Sequence, residues 1–267
     1  MSLGIVIKAP EGTVLAAESR VTLFAQMQSG GTLQQWPINF DNATKLLSFG
    51  KPNTSVGAVT YGQALIGQRT AHSFLPEFEQ SFPQKRLTVK GFAEHLSKFY
   101  FSPWKDTMPA AYDGPDMIFI VGGYDEGAPY GEIYQIEIPR QPEPAQVMQN
   151  QFGINYGGQQ EIVERIIAGY DNRLLGIAAQ ALGLSPEQVN VLKTAFAPLG
   201  LALPLQVLPL QDCVDLAIFA IRATIDAQKL SVGLRGCGGP IDVATITRSN
   251  GLVFIQTKQV HGETLTS

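Results

Sequence analysis

Cysteine and histidine are scarce in this chain. Only Cys213 and Cys237 occur in 267 residues, with no metal-type spacing around them. Two cysteines make no disulfide framework, so a reducing compartment, the cytoplasm, is expected. The three histidines, His72, His95 and His261, are scattered, and none has a partner by spacing. That argues against a His-based or zinc site, and neither a metal nor another cofactor is expected. No Lys/Arg run rises above a balance of 19 basic and 23 acidic residues, with net charge -4. A nucleic-acid partner or an anionic membrane therefore has no electrostatic support. A signal peptide is not expected, because no basic segment precedes a long apolar one at the N-terminus. The longest apolar stretch, 200–210 (GLALPLQVLPL), is broken by Pro204 and Gln206 and is too short to cross a bilayer. Neither Gly122-Gly123 nor Gly238-Gly239 leads into Gly-Lys-Ser/Thr, which excludes a phosphate loop. Internal repeats and low-complexity linkers are also missing.

What is present suits one large core: 45% of the residues are hydrophobic. A single domain over 1–267 is expected. Segments 4–9 and 13–17 read as two strands around the turn Pro10-Glu11-Gly12. Segment 24–38, rich in Gln, Gly, Ser and Thr, reads as a loop. Strands are expected over 45–49 and 56–61, then helical spacing over 66–78 and 87–100. The apolar run 116–123 and the alternating run 131–138 form the next strand pair. Pro139 to Pro144 reads as a rigid connection. Helices follow over 159–182, from Ser185-Pro186 onward with a capping pattern, and over 214–227. The last pair, 241–247 and 252–257, flanks Asn250-Gly251, the strongest short-range hairpin signal. Blocks of hairpins alternate with blocks of helices. The expected class is α+β: two antiparallel sheets flanked by helices in a four-layer α/β/β/α sandwich.

Ser2 carries its own chemistry. Aminopeptidase removes an initiator Met ahead of a small residue, which would leave Ser2 at the N-terminus. It would then own both a hydroxyl nucleophile and an α-amine titrating at about 7.7–8.0. Nucleophile and base on one residue need no His–Asp relay. The bland alternative is a permissive second residue. For Glu18 and Lys45 it is a surface or hairpin ion pair, and for Cys237 a small buried residue in a tight turn.

Four pieces in order, GTVLAAESR, NATKLLSF, DMIFIVGGYDEGAPYGEIYQIE and CGGPIDVATITRSNG, resemble the proteasome β-type subunits of the N-terminal nucleophile hydrolase superfamily. The resemblance runs through most of the chain and implies an amide hydrolase acting on peptides or other amides. Ser2 stands where the family has its N-terminal Thr, Glu18 where it has an acid, and Lys45 where it has its active-site Lys. Gly62 matches the residue whose N–H serves the oxyanion hole. Arg20 matches a family Arg that is more often structural. Tyr156, beside Gly157, replaces a family Ser; Asp226 and Gln228 both lie near a family Asp; Cys237 replaces the Ser before the Gly-Gly pair. Segments 24–38 and 183–210 are longer than the family's. A homo-oligomer, in the form of a ring, is implied as the assembly. Two other activities fit the same resemblance: a non-catalytic ring-forming subunit, or an amidase or transpeptidase for small substrates.

Overall fold

The computed structural model describes residues 2–29 and 32–262. It opens with β1 (Leu3–Lys8) and β2 (Thr13–Glu18), every residue of which is buried. The expected turn joins them: the Ala9 and Gly12 backbones exchange hydrogen bonds of 2.9 and 3.3 Å. The expected loop at 24–38 is instead part of a ribbon. Strands β3 (Val21–Ser29) and β4 (Thr32–Phe40) pair residue for residue from Val21↔Phe40 to Ser29↔Thr32. Val21, Leu23 and Ala25 alternate with Thr22 and Gln26, a strand period hidden by the polar composition. Gly30 and Gly31, part of that composition, lie outside the described residues, as does Met1.

Next come β5 (Leu46–Ser48) and β6 (Val56–Gly62). The helix expected over 66–78 is confined to its end. A short hairpin, β7 (Leu65–Ile66) and β8 (Arg69–Thr70), turns at Gly67, whose φ is 59°. Thr70 then caps a 3₁₀ turn, Ala71–Phe74, and only α1 (Leu75–Gln80) is α-helical. Helix α2 (Val89–Thr107) runs about two turns beyond its expected end. The central strands are β9 (Met117–Gly123) and β10 (Glu132–Ile138). The expected rigid connection at 139–144 is largely a strand, β11 (Gln141–Val147). It lies at a sheet edge, where Pro142 and Pro144 are tolerated because one side of the strand needs no donors. Strand β12 (Gly153–Gly158) pairs with β1.

The helix expected over 159–182 is broken into α3 (Glu161–Ala168) and α4 (Arg173–Leu182). Gly169 ends α3 in the left-handed conformation, φ 79°, and a Cβ there would strike the Leu199 carbonyl. Helix α5 (Pro186–Phe196) starts with the expected capping box at Ser185 and Gln188. Helix α6 (Leu210–Leu230) and the hairpin β13 (Ile241–Thr247) and β14 (Gly251–Gln256) complete the chain.

The large sheets are antiparallel, in orders β12-β1-β2-β13-β14 and β11-β10-β9-β6-β5. Strand alternation divides their side chains among three apolar clusters. Leu3, Ile5 and Ile7 of β1 join Val214, Ala217 and Ile221 of α6. Phe119 and Val121 of β9 join Phe92, Leu96 and Tyr100 of α2. Val6 and Leu15 of the first sheet meet Leu46, Val59 and Ile120 of the second. The class is therefore α+β with antiparallel sheets. Helices α4 and α5 bury no side chain of their own. Among the described residues, no helix is long and apolar enough to cross a membrane.

Candidate active site

Ser2 precedes β1 and is buried. Its carbonyl accepts a 2.7 Å hydrogen bond from the Gln159 N–H. This approach depends on two glycines at the end of β12. Gly158 has φ 94°, and a Cβ on it would run into the Ser2 carbonyl. A Cβ on Gly157 would run into the Tyr61 hydroxyl. The pairing Leu3↔Gly158 brings both glycines beside Ser2.

Glu18 ends β2 with its side chain wholly enclosed. Its carboxylate accepts from four donors. Oε1 takes the Leu3 N–H at 3.2 Å and the Lys45 ammonium. Oε2 takes the N–H groups of Arg20 at 2.7 Å and Gly238 at 3.0 Å. Such saturation is what a buried carboxylate requires. The Lys45 ammonium also donates to the Arg20 carbonyl. Burial pushes Lys45 below its ordinary pKa, and the Glu18 charge opposes that shift.

Lys45 sits directly before β5, and its carbonyl accepts from the Thr60 N–H at 2.9 Å. Amide direction alternates along a strand, so the Gly62 N–H faces the same edge as that of Thr60, beyond the start of β5. Gly62 has φ 86°, and a Cβ on it would strike the Asp116 carbonyl. That carbonyl instead accepts the Gln63 N–H at 2.8 Å. Ser2, Thr44, Lys45, Tyr61 and Gly62 line one cleft, whose cavity volume of about 20 Å³ suits a single water. The arrangement offers a hydroxyl, a buried cation and a backbone donor at a common space.

The supporting residues divide. Arg20 is held by its side chain to Asp41, at 2.5 and 2.7 Å, and by its backbone to both members of the Glu18–Lys45 pair. It precedes β3 and Asp41 follows β4, so this fork clamps the ribbon at its base. Cys237 is buried, and burial and the Glu18 charge push its thiol far above the range of a reactive cysteine. Tyr156 lies within β12 opposite Ile5 and packs with the α6 cluster, on the face away from Val6 and Tyr61. Asp226 is exposed on α6. Gln228, two residues later, does the bridging: it donates to the Gln159 side chain at 3.0 Å and accepts the Cys237 N–H at 2.8 Å.

Asp41 and Gly158 are additions that local sequence patterns do not single out. The signal for Asp41 was Arg20 itself, a cation beside a fully buried strand in need of a carboxylate. Among the described residues, no group of three or more His, Cys, Asp and Glu side chains is placed to hold a metal ion.

The α+β class with two antiparallel sheets has solved counterparts. The chain resembles Anbu from Hyphomicrobium sp. strain MC1, a (Gly-1) mutant, with TM-score 0.57 and 12% identity, over 97% of this chain and 86% of that one. It resembles Anbu (ancestral beta-subunit) from Yersinia bercovieri equally, with TM-score 0.57 and 12% identity, over 95% of this chain and 87% of that one. At this identity the likeness shows a shared fold. No protein-family model and no curated protein sequence matches the chain.

Proposed function

We propose that the chain is an amide hydrolase of the N-terminal nucleophile type, built as a single proteasome-like domain over residues 1–267. In this reading the two facing sheets and their helices form a four-layer α/β/β/α sandwich. Segments 24–38 and 183–210 are enlargements upon it. Met1 is removed, and Ser2 Oγ attacks a peptide or other amide carbonyl. Its proton passes to the Ser2 α-amine, directly or through water. The Lys45 cation, held by Glu18, favours the ionised nucleophile, and the Gly62 N–H stabilises the oxyanion. The intermediate collapses as its C–N bond breaks and the protonated Ser2 α-amine returns the proton to the departing amine; water then hydrolyses the ester, releasing the acid and restoring the Ser2 hydroxyl.

One observation carries this reading: Ser2, Lys45 and Gly62 share a cleft, and Lys45 is fixed there by a fully buried carboxylate. The Anbu fold supports it. The working form is a cytoplasmic homo-oligomer, arranged as a ring through the exposed α4 and α5. The direct test is labelling with an epoxyketone or β-lactone. The native chain is expected to be modified, and Ser2→Ala and Lys45→Ala to be unmodified; an adduct that persists in Ser2→Ala contradicts the proposal. Light scattering tests the assembly, which a monomer contradicts.

The cleft's narrowness favours a second reading, a ring-forming subunit without catalysis. It predicts oligomers with no adduct.

A further inference from the structure

Behind the Glu18–Lys45 pair lies a second cavity, of about 280 Å³, between the end of α6 and the loop that leads to β13. Arg222, Asp226 and Lys229 line it from one face of α6, at helical spacings of three and four. Arg235 and Gly238 line it from the loop, and Arg20 from the other side. Among the described residues, Arg222, Lys229 and Arg235 take part in no ion pair. Arg20 is already matched by Asp41. Three unpaired cations thus surround one cavity against one carboxylate, Asp226, in a chain whose net charge is -4. All three are exposed at the cavity rim, and an anion seated between them is attracted by each. Lys229 is in the last turn of α6, where the partial negative charge of the helix end offsets about half of its own, so Arg222 and Arg235 contribute most of the positive field. Guanidinium forks match oxyanions in two-point contact.

We infer that this cavity binds a compact oxyanion, a phosphate or carboxylate group. The site is separate from the proposed chemistry at Ser2 and does not depend on it. It is joined to the Glu18 brace, because Gly238 lines the cavity and donates to Glu18.

The experiment is calorimetric titration of the full chain with inorganic phosphate and, separately, acetate, at ionic strength matched with chloride. Saturable one-site binding of either anion is expected, and which one binds identifies the group. Arg222→Gln/Arg235→Gln is expected to weaken that binding about tenfold or more. Asp226→Asn, which removes the opposing charge from an exposed position, is expected to tighten it several-fold. Absence of saturable binding by both anions overturns the inference. So does unchanged affinity in the double variant, with its fold verified by circular dichroism, or unchanged or weaker affinity in Asp226→Asn.

Discussion

Replacing Glu18 by Gln leaves the shape of the side chain almost intact and removes its charge. Each carboxylate oxygen accepts from two donors: Leu3 N–H and Lys45 on one side, Arg20 and Gly238 N–H groups on the other. A glutamine amide therefore turns its NH₂ toward two donors in either orientation. Breaking one side of a buried ion pair costs about 3–5 kcal/mol. Lys45 sets an upper bound on its own share, because it can enter the fold neutral. From an unfolded pKa of about 10.4, that costs roughly 1.4 kcal/mol per pH unit, or about 4–5 kcal/mol at pH 7. The sign follows from the proton: Lys45 has a lowered pKa in the fold, so the unfolded chain holds its proton more tightly. Stability then rises with pH between the depressed folded value and the unfolded one. The assay is urea denaturation of the native chain, Glu18→Gln and Glu18→Gln/Lys45→Met from pH 6 to 10. The single variant is expected to lose about 3–5 kcal/mol at pH 7 and to regain part of it toward pH 10. The double variant, with no buried amine, is expected to be more stable than the single one and to lose that pH dependence. A loss below about 1 kcal/mol at pH 7, constant with pH, refutes the buried pair.

Three further outcomes can be checked by urea midpoints. Gly158→Ala is expected to cost at least ~2 kcal/mol, through positive φ and collision with the Ser2 carbonyl, whereas Gly176→Ala, in open space within α4, is expected to stabilise by about 0.5–1 kcal/mol. Asp41→Asn opens the clamp at the ribbon's base; Asp41 is half exposed, so the loss is at most ~1 kcal/mol. Arg20 holds the Asp41 carboxyl below its usual pKa, so this contribution is complete above about pH 4 and disappears as pH falls through the depressed folded value. Gln228→Ala leaves the Cys237 N–H without its acceptor and is expected to cost about 1–3 kcal/mol, against less than about 0.5 for Asp226→Ala.

Glu18, Lys45 and Gly62 were singled out by the family resemblance, not by strand patterns; in the fold Glu18 ends β2, Lys45 precedes β5 and Gly62 ends β6. The α+β class followed from alternating blocks of hairpins and helices. Roles that depend on distant partners were hidden. Asp41 matters only because the ribbon returns it to Arg20, and Gly158 only because β12 pairs with β1. Polar composition masked the ribbon, and prolines masked β11, since an edge strand tolerates them. Helical periodicity continued across 159–182, although Gly169 ends α3 at positive φ where the chain lies close against the Leu199 carbonyl. Gln228 and Asp226 are two positions apart on one helix, and only the packed loop at Cys237 separates their roles.

The most direct measurement is the intact mass of the protein expressed from its own start, before and after β-lactone treatment. The account predicts a chain without Met1 that gains one adduct on Ser2, and a Ser2→Ala chain that gains none. A chain that keeps Met1, or an adduct that survives Ser2→Ala, contradicts it.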